Sequence, residues 1–245
     1  MKTSPLSVHG VHKSYDGRKV LADINFSLTP GEIFGLIGLN GAGKTTLIKI
    51  ILDLVKADEG KANIFDIAST DIESRRQLSY LPEKFQPSRY LKGFEYLSLA
   101  LSYYGKKLDE THARAGAAAL DLNPEVLPAR VGSYSKGMGQ KLGLLGAFMV
   151  GSALLVLDEP MSGLDPRARI RLKEQLLSER AQGKTIFFSS HILSDIDEIC
   201  DRIGIIHEGR LCFIGTPAAF KMKYKEASLE KSFLRLIDGA PAQAA

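Results

Sequence analysis

Residues Gly38-Leu39-Asn40-Gly41-Ala42-Gly43-Lys44-Thr45 follow the spacing G-x-x-x-x-G-K-[ST]. Chemistry on a phosphate chain needs this pattern. Glycines let the backbone curl so that several N–H groups point inward at an anion. Lys44 adds a point charge for β- and γ-phosphates, and Thr45 a hydroxyl for Mg²⁺. The candidate nucleotide-binding residues are Gly38, Asn40, Gly41, Ala42, Gly43, Lys44, Thr45 and Thr46. An apolar run at 33–37 predicts a strand before the loop. An apolar helix is expected at 46–55, its N-terminus adding partial positive charge.

A second apolar run, 154–157, ends in Asp158-Glu159. Asp158 at the end of a sheet strand suits Mg²⁺ beside Thr45. Glu159 is then placed to polarise a water for in-line attack on a γ-phosphate. Strands capped by solvated acids are common, and the phosphate loop gives this pair its meaning. Ser135-Lys136-Gly137 opens another helical pattern, where a serine hydroxyl and first-turn amides bind an anion or merely cap the helix. His191 follows Ser189-Ser190 at the end of a strand-like run. In Ser162-Gly163-Leu164-Asp165, Asp165 reads as an N-cap with Pro166 at the first helical position.

These groups need a frame. Short apolar or β-branched runs at 8–11, 32–37, 154–157, 185–189, 203–206 and 211–214 read as strands. Ile192, Leu193, Ile196, Ile199 and Cys200 share one helical face. Continuous apolar runs suit strands covered on both sides, so the fold class is α/β with a mostly parallel sheet. From about 90 to 150 the pattern is helical, including the Ala- and Leu-rich 113–122, which predicts a helical insertion at about 86–150. Near the N-terminus, 8–11 and 20–28 flank Asp16-Gly17 and predict an antiparallel β subdomain. The main domain is expected to span 1–217. The remainder, 218–245, reads as a short extension with a basic cluster (Lys221, Lys223, Lys225) and a disordered Ala/Pro/Gln end.

Bulk properties exclude several classes. A chain of 245 residues buries enough surface to fold without disulfides or metal. Its net charge of +4 is mild and does not suggest nucleic acid as a partner. The two cysteines, Cys200 and Cys212, lack the spacing of a disulfide framework or zinc site and suit a reducing compartment. Residues 1–10 carry no signal-peptide pattern. The uncharged stretch 142–157 is too short, and too interrupted by glycine and serine, to span a membrane.

Taken in order, the motifs resemble those of the nucleotide-binding subunit of an ABC (ATP-binding cassette) transporter over almost the whole chain. The resemblance implies a P-loop NTPase core of the RecA-like kind and ATP and Mg²⁺ as cofactors. Tyr134-Ser135-Lys136-Gly137-Met138 resembles a variant signature motif, with Lys136 in place of the usual glycine. Ser135, Lys136 and Gly137 would then bind the γ-phosphate held by a partner subunit. Glu159 and His191 are implied as catalytic, His191 as the switch histidine at the γ-phosphate. Asp165 belongs to the D-loop, which couples two ATP sites across a dimer, and an N-cap role is compatible. Tyr15 falls where the family stacks an aromatic on adenine, although a tyrosine here can also be core.

One departure concerns the metal. Glu83 in Tyr80-Leu81-Pro82-Glu83 occupies the position of the family's Mg²⁺-sensing glutamine, and Gln86 is the rival candidate. The aromatics Phe85, Tyr90, Leu91, Phe94 and Tyr96 either pack the helical insertion or line a groove for a cytoplasmic helix of the membrane subunit. The resemblance implies a head-to-tail pair of ATP-binding subunits, expected to be a homodimer. It also implies permease subunits on separate chains and a peripheral place on the cytoplasmic face of the inner membrane. The variant signature, Glu83 and the short C-terminal end resemble exporter cassettes. The alternative is an ABC-type ATPase that drives envelope remodelling without moving a solute. DNA-repair and translation relatives would need a coiled-coil or zinc insertion or a second cassette, and a small-molecule P-loop kinase would lack the signature, D-loop and His191.

Overall fold

The computed structural model describes residues 3–239. The Ala/Pro/Gln end, expected to be disordered, lies outside them. Strands β1 (Leu6–Tyr15) and β2 (Arg18–Ser27) pair antiparallel around Asp16-Gly17, whose φ values of 49° and 78° make the tight turn the dipeptide predicts. There follow β3 (Ile33–Ile37), α1 (Lys44–Ile51), β4 (Glu59–Ile64) and β5 (Ile67–Ala68). The middle of the chain forms β6 (Leu78–Leu81), α2 (Gly93–Ser102), α3 (Glu110–Ala119), α4 (Lys136–Val150), β7 (Leu154–Asp158) and α5 (Pro166–Ala181). The last part forms β8 (Thr185–Ser190), α6 (Leu193–Ile199), β9 (Arg202–His207), β10 (Arg210–Gly215), α7 (Pro217–Tyr224) and α8 (Leu229–Ile237).

The chain divides into two compact units: residues up to Arg75 together with those from Thr185 onward, and Arg76–Lys184. In the first unit β3 lies between β8 and β9, parallel to both, with β10 antiparallel on β9. Every residue of β3 and β8 is buried, as strands covered on both faces require. A separate antiparallel sheet runs β2-β1-β4-β5. Phe26, Phe34 and Phe187 stack with centroids 5.5, 5.8 and 5.9 Å apart, fastening β2 to the buried faces of β3 and β8.

In the second unit β6 and β7 pair in parallel, Leu78 against Leu154 through Leu81 against Leu157. The helices α2, α3 and α4 fill the stretch expected to be helical. Gly143 on α4 is required by close approach: a Cβ there would lie 2.7 Å from Leu81 Cδ1 and from the Phe85 ring. Ser79 Oγ donates to the Ala147 carbonyl at 3.0 Å and ties β6 to the same helix.

Several details differ from expectation, among them β6, since no strand was expected at 78–81. Helix α1 starts at Lys44 and stops at Ile51, short of 55, because the chain turns through Asp53 at φ 56°. Strand β4 was not expected. Its first three residues are exposed, and it is held by pairing with β1, Leu6 against Ile64. The extension after 217 forms two helices, each capped by a hydroxyl: Thr216 accepts from Ala219 N–H and Ser228 from Lys231 N–H. Among the described residues no helix is long and apolar enough to cross a membrane.

Candidate nucleotide site

The first unit carries the phosphate loop between β3 and α1. Gly43 stands at the N-cap of α1 with φ 105°, and a Cβ there would meet Leu21 Cδ2 at 2.7 Å and the Val20 carbonyl at 2.9 Å. Only glycine fits, by conformation and by space. A glycine cap brings no side-chain oxygen, so it leaves the first-turn amides of α1 to an anion. Lys44 is buried, and its Nζ donates to the carbonyls of Gly38 at 2.8 Å and Leu39 at 3.4 Å. The loop thus curls around its own ammonium. Asn40 and Gly41 are exposed, while Ala42, Thr45 and Thr46 are half-buried.

Parallel pairing puts a second group at the same level. Ile37, the last residue of β3, is the register partner of Ser190, the last of β8. The chain therefore leaves β3 into Gly38 and β8 into His191 at adjacent carboxyl ends of parallel strands, the usual place for ligands on such sheets. His191 is exposed, and Ser190 Oγ accepts the Ile192 N–H at 3.0 Å, turning the backbone just past it. Tyr15 ends β1 and is 45% exposed, so it is not a core residue.

The second unit carries the carboxylates and the serine motif. Asp158 ends β7 fully buried, and Glu159, also buried, has φ 50°. A left-handed glutamate is a strained residue that the surroundings must hold, and such strain clusters at working sites. The Glu159 carbonyl accepts from Ser162 N–H at 3.0 Å, closing the turn that leads to Gly163. Burial pushes the Tyr80 phenol up to about 12, and the charges of Asp158 and Glu83 add to the effect. The phenol therefore feels both carboxylates. Glu83 and Gln86 are both exposed.

Ser135 caps α4, accepting the Met138 N–H at 3.2 Å, and Lys136 is the helix's first residue. Its extra Cβ costs no strained backbone there. A Cβ on Gly137 would lie 3.2 Å from the Gly163 carbonyl, so the serine motif and the turn after Glu159 lie side by side. Gln140 Nε2 donates to the Pro160 carbonyl at 3.2 Å and reinforces that approach. Asp165 caps α5, accepting the Ala168 N–H at 2.9 Å. That bond, helped by the Lys141 charge, holds its carboxyl below the usual carboxylate range.

Sequence reasoning missed Lys141. Its Nζ lies 3.2 Å from Asp121 and 3.8 Å from Asp165, linking the helix of the serine motif to the α5 cap. No spacing rule predicts that triad, because its members come from three separate segments. The same unit holds an open groove of about 1330 Å³, lined by Glu83, Phe85, Gln86, Tyr90, Arg130 and Tyr134 among others. Phe85 packs edge-on against Tyr96 at 5.2 Å, whereas Tyr90 is 85% exposed. The aromatics thus divide between packing and surface.

Thr45 in the first unit and Asp158 in the second each carry a hard oxygen of the kind Mg²⁺ accepts, and among the described residues there is no group of three or more His, Cys, Asp or Glu that could hold a metal ion. Mg²⁺ characteristically takes one or two protein oxygens and completes its shell with phosphate and water.

A glycine-rich loop between a parallel strand and a helix, with an acidic strand end and a serine-capped helix, defines a P-loop nucleotide-binding α/β protein. The family model described as ABC transporter matches residues 21–162, more than half of the chain, and the chain belongs to that family. An uncharacterized ABC transporter ATP-binding protein from Nostoc sp. is 39% identical over 208 residues, covering 81% of this chain and 61% of that protein. This chain therefore spans about three fifths of that relative's length. Nod factor export ATP-binding protein I of Burkholderia thailandensis is 34% identical over 225 residues, covering 89% of this chain and 72% of the relative. The solved structure of an ATP binding subunit of an ABC transporter matches with TM-score 0.87 and 33% identity, over 96% of this chain and 100% of that one.

Proposed function

We propose that this chain binds and hydrolyses ATP, pairs head-to-tail with a second ATP-binding subunit around two MgATP, and powers a membrane exporter whose spanning subunits are separate chains. The observation that carries this reading is the pairing of Ile37 with Ser190, which sets the phosphate loop and His191 at neighbouring strand ends. Gly38, Asn40, Gly41, Ala42, Gly43, Lys44 and Thr46 hold the phosphates. Thr45 and Asp158 are the Mg²⁺ ligands, with Glu83 as the further oxygen donor. When bound, the metal neutralises charge on the β- and γ-phosphates.

Glu159 orients the attacking water and takes its proton, and His191 contacts the γ-phosphate. Ser135, Lys136 and Gly137 meet the γ-phosphate of the partner's nucleotide. Asp165 works from the adjoining D-loop, and Tyr15 stacks on adenine. The domain reading is an ATPase domain at 1–217 with its helical subdomain at about 86–150, followed by the extension 218–245. Hydrolysis removes the charge that bridges the two subunits, and their separation is the stroke.

The groove beside Glu83 suits a short cytoplasmic helix of the membrane subunit, which puts the chain peripherally on the cytoplasmic face of the inner membrane. Export is favoured by the likeness to an export ATP-binding protein. Purification from detergent-solubilised native membranes tests the reading. A membrane-spanning protein is expected to co-purify, and the complex to release orthophosphate from MgATP. A chain recovered alone, with no phosphate release, overturns it.

A further inference from the structure

The stretch before Tyr15 pairs irregularly within its own sheet. The β1–β2 pairing shifts register between Val11 and Lys13 and again between Lys13 and Ser14. The pairing of β1 with β4 runs out at His12, opposite Glu59. Asp58, the residue just before β4, takes over. Its N–H donates to the His12 carbonyl at 2.9 Å. One carboxylate oxygen accepts the Ser14 N–H at 2.6 Å, and the other accepts from Lys13 Nζ at 2.7 Å. A single side chain with its own amide thus holds three successive residues leading into Tyr15.

Lys13 is the second part. Its side chain is only 14% exposed, and its ammonium lies 5.3 Å from the Tyr15 ring centroid, over the ring. One ring face is therefore covered by a cation that Asp58 holds in place, while Tyr15 as a residue stays 45% exposed. An electron-rich purine stacks favourably on a ring drawn toward a cation on its far side, and a fixed ring loses less freedom when a base settles on it.

We propose that Lys13 and Asp58 are positioning residues for the nucleobase: together they orient Tyr15 so that its open face stacks on adenine, and so set the base-dependent part of nucleotide affinity. This rests on the reading of Tyr15 as the adenine-stacking residue. The Lys13 hydrogen bond, and after it the Ser14 N–H, hold the Asp58 carboxyl below its usual range.

The test compares two ligands on the full chain: a non-hydrolysable ATP analogue, and inorganic tripolyphosphate, which has no base. Lys13→Met and Asp58→Asn are expected to weaken the analogue about two- to fivefold, the size of an exposed cation–π contact, and to leave tripolyphosphate unchanged. Lys13→Arg is expected to restore the analogue's affinity. Unchanged analogue binding in Lys13→Met, while Tyr15→Ala weakens it, overturns the proposal and leaves Tyr15 stacking intact. Equal weakening of both ligands also overturns it, because the pair is then only structural. A Tyr15→Ala variant with normal selectivity between the two ligands removes the stacking reading itself, and the proposal with it.

Discussion

The Lys44 ammonium donates to the Gly38 carbonyl at 2.8 Å, so the cation of the phosphate loop is fixed by the loop's own first residue. The bond closes a ring of backbone around the ammonium. It also explains how a lysine can be as buried as Lys44 without leaving its charge unsatisfied.

Lys44→Ala removes that cation and a charge-assisted contact worth about 1.5–3 kcal/mol. Nucleotide affinity is expected to fall at least about tenfold while the fold persists. Titration with a fluorescent ATP analogue measures the first, and far-UV circular dichroism the second.

Gly143→Ala would put a Cβ within 2.7 Å of both Leu81 and Phe85. Overpacking of this kind costs about 1–3 kcal/mol. For a chain of this size the melting temperature is expected to drop by about 2–12 °C. Differential scanning calorimetry reads the shift, and an unchanged melt would mean that α4 moves away freely.

Tyr80 has its phenol raised from 10.0 to about 12. The folded state thus holds the proton where the unfolded chain has lost it. Its contribution to stability is complete below pH 10 and is lost as the pH rises through about 12. Tyr80→Phe, which has no proton to lose, is expected to flatten the decline in stability across that window. Alkaline unfolding followed by circular dichroism checks this, and a decline identical to wild type contradicts it.

Much of this was legible in the chain because its working parts sit on extreme sequence patterns. The runs ending at Ile37 and Leu157 carry no polar residue, which suits strands buried on both faces, and both are buried throughout. Asp16-Gly17 named its own turn. What escaped lies in contacts between distant segments. Asp58 and Lys13 are 45 residues apart, and neither looks unusual alone. Lys141 meets Asp121 and Asp165 only after three segments have folded together. Strand β4 begins Glu59-Gly60-Lys61, all exposed, and is a strand because β1 offers it an edge rather than through any pattern of its own. The left-handed φ of Glu159 leaves no mark on residue type, since glutamate is an unlikely choice for that conformation.

In the mechanism proposed above, a triphosphate joins two subunits and Glu159 starts its cleavage. The most direct test is Glu159→Gln run on a size-exclusion column with MgATP, with orthophosphate assayed in parallel. Loss of a general base typically costs 10²–10⁴ in rate. The variant is expected to bind MgATP, elute as a dimer that dissociates when nucleotide is removed, and release almost no phosphate. A monomer that turns over ATP at the wild-type rate would contradict the account.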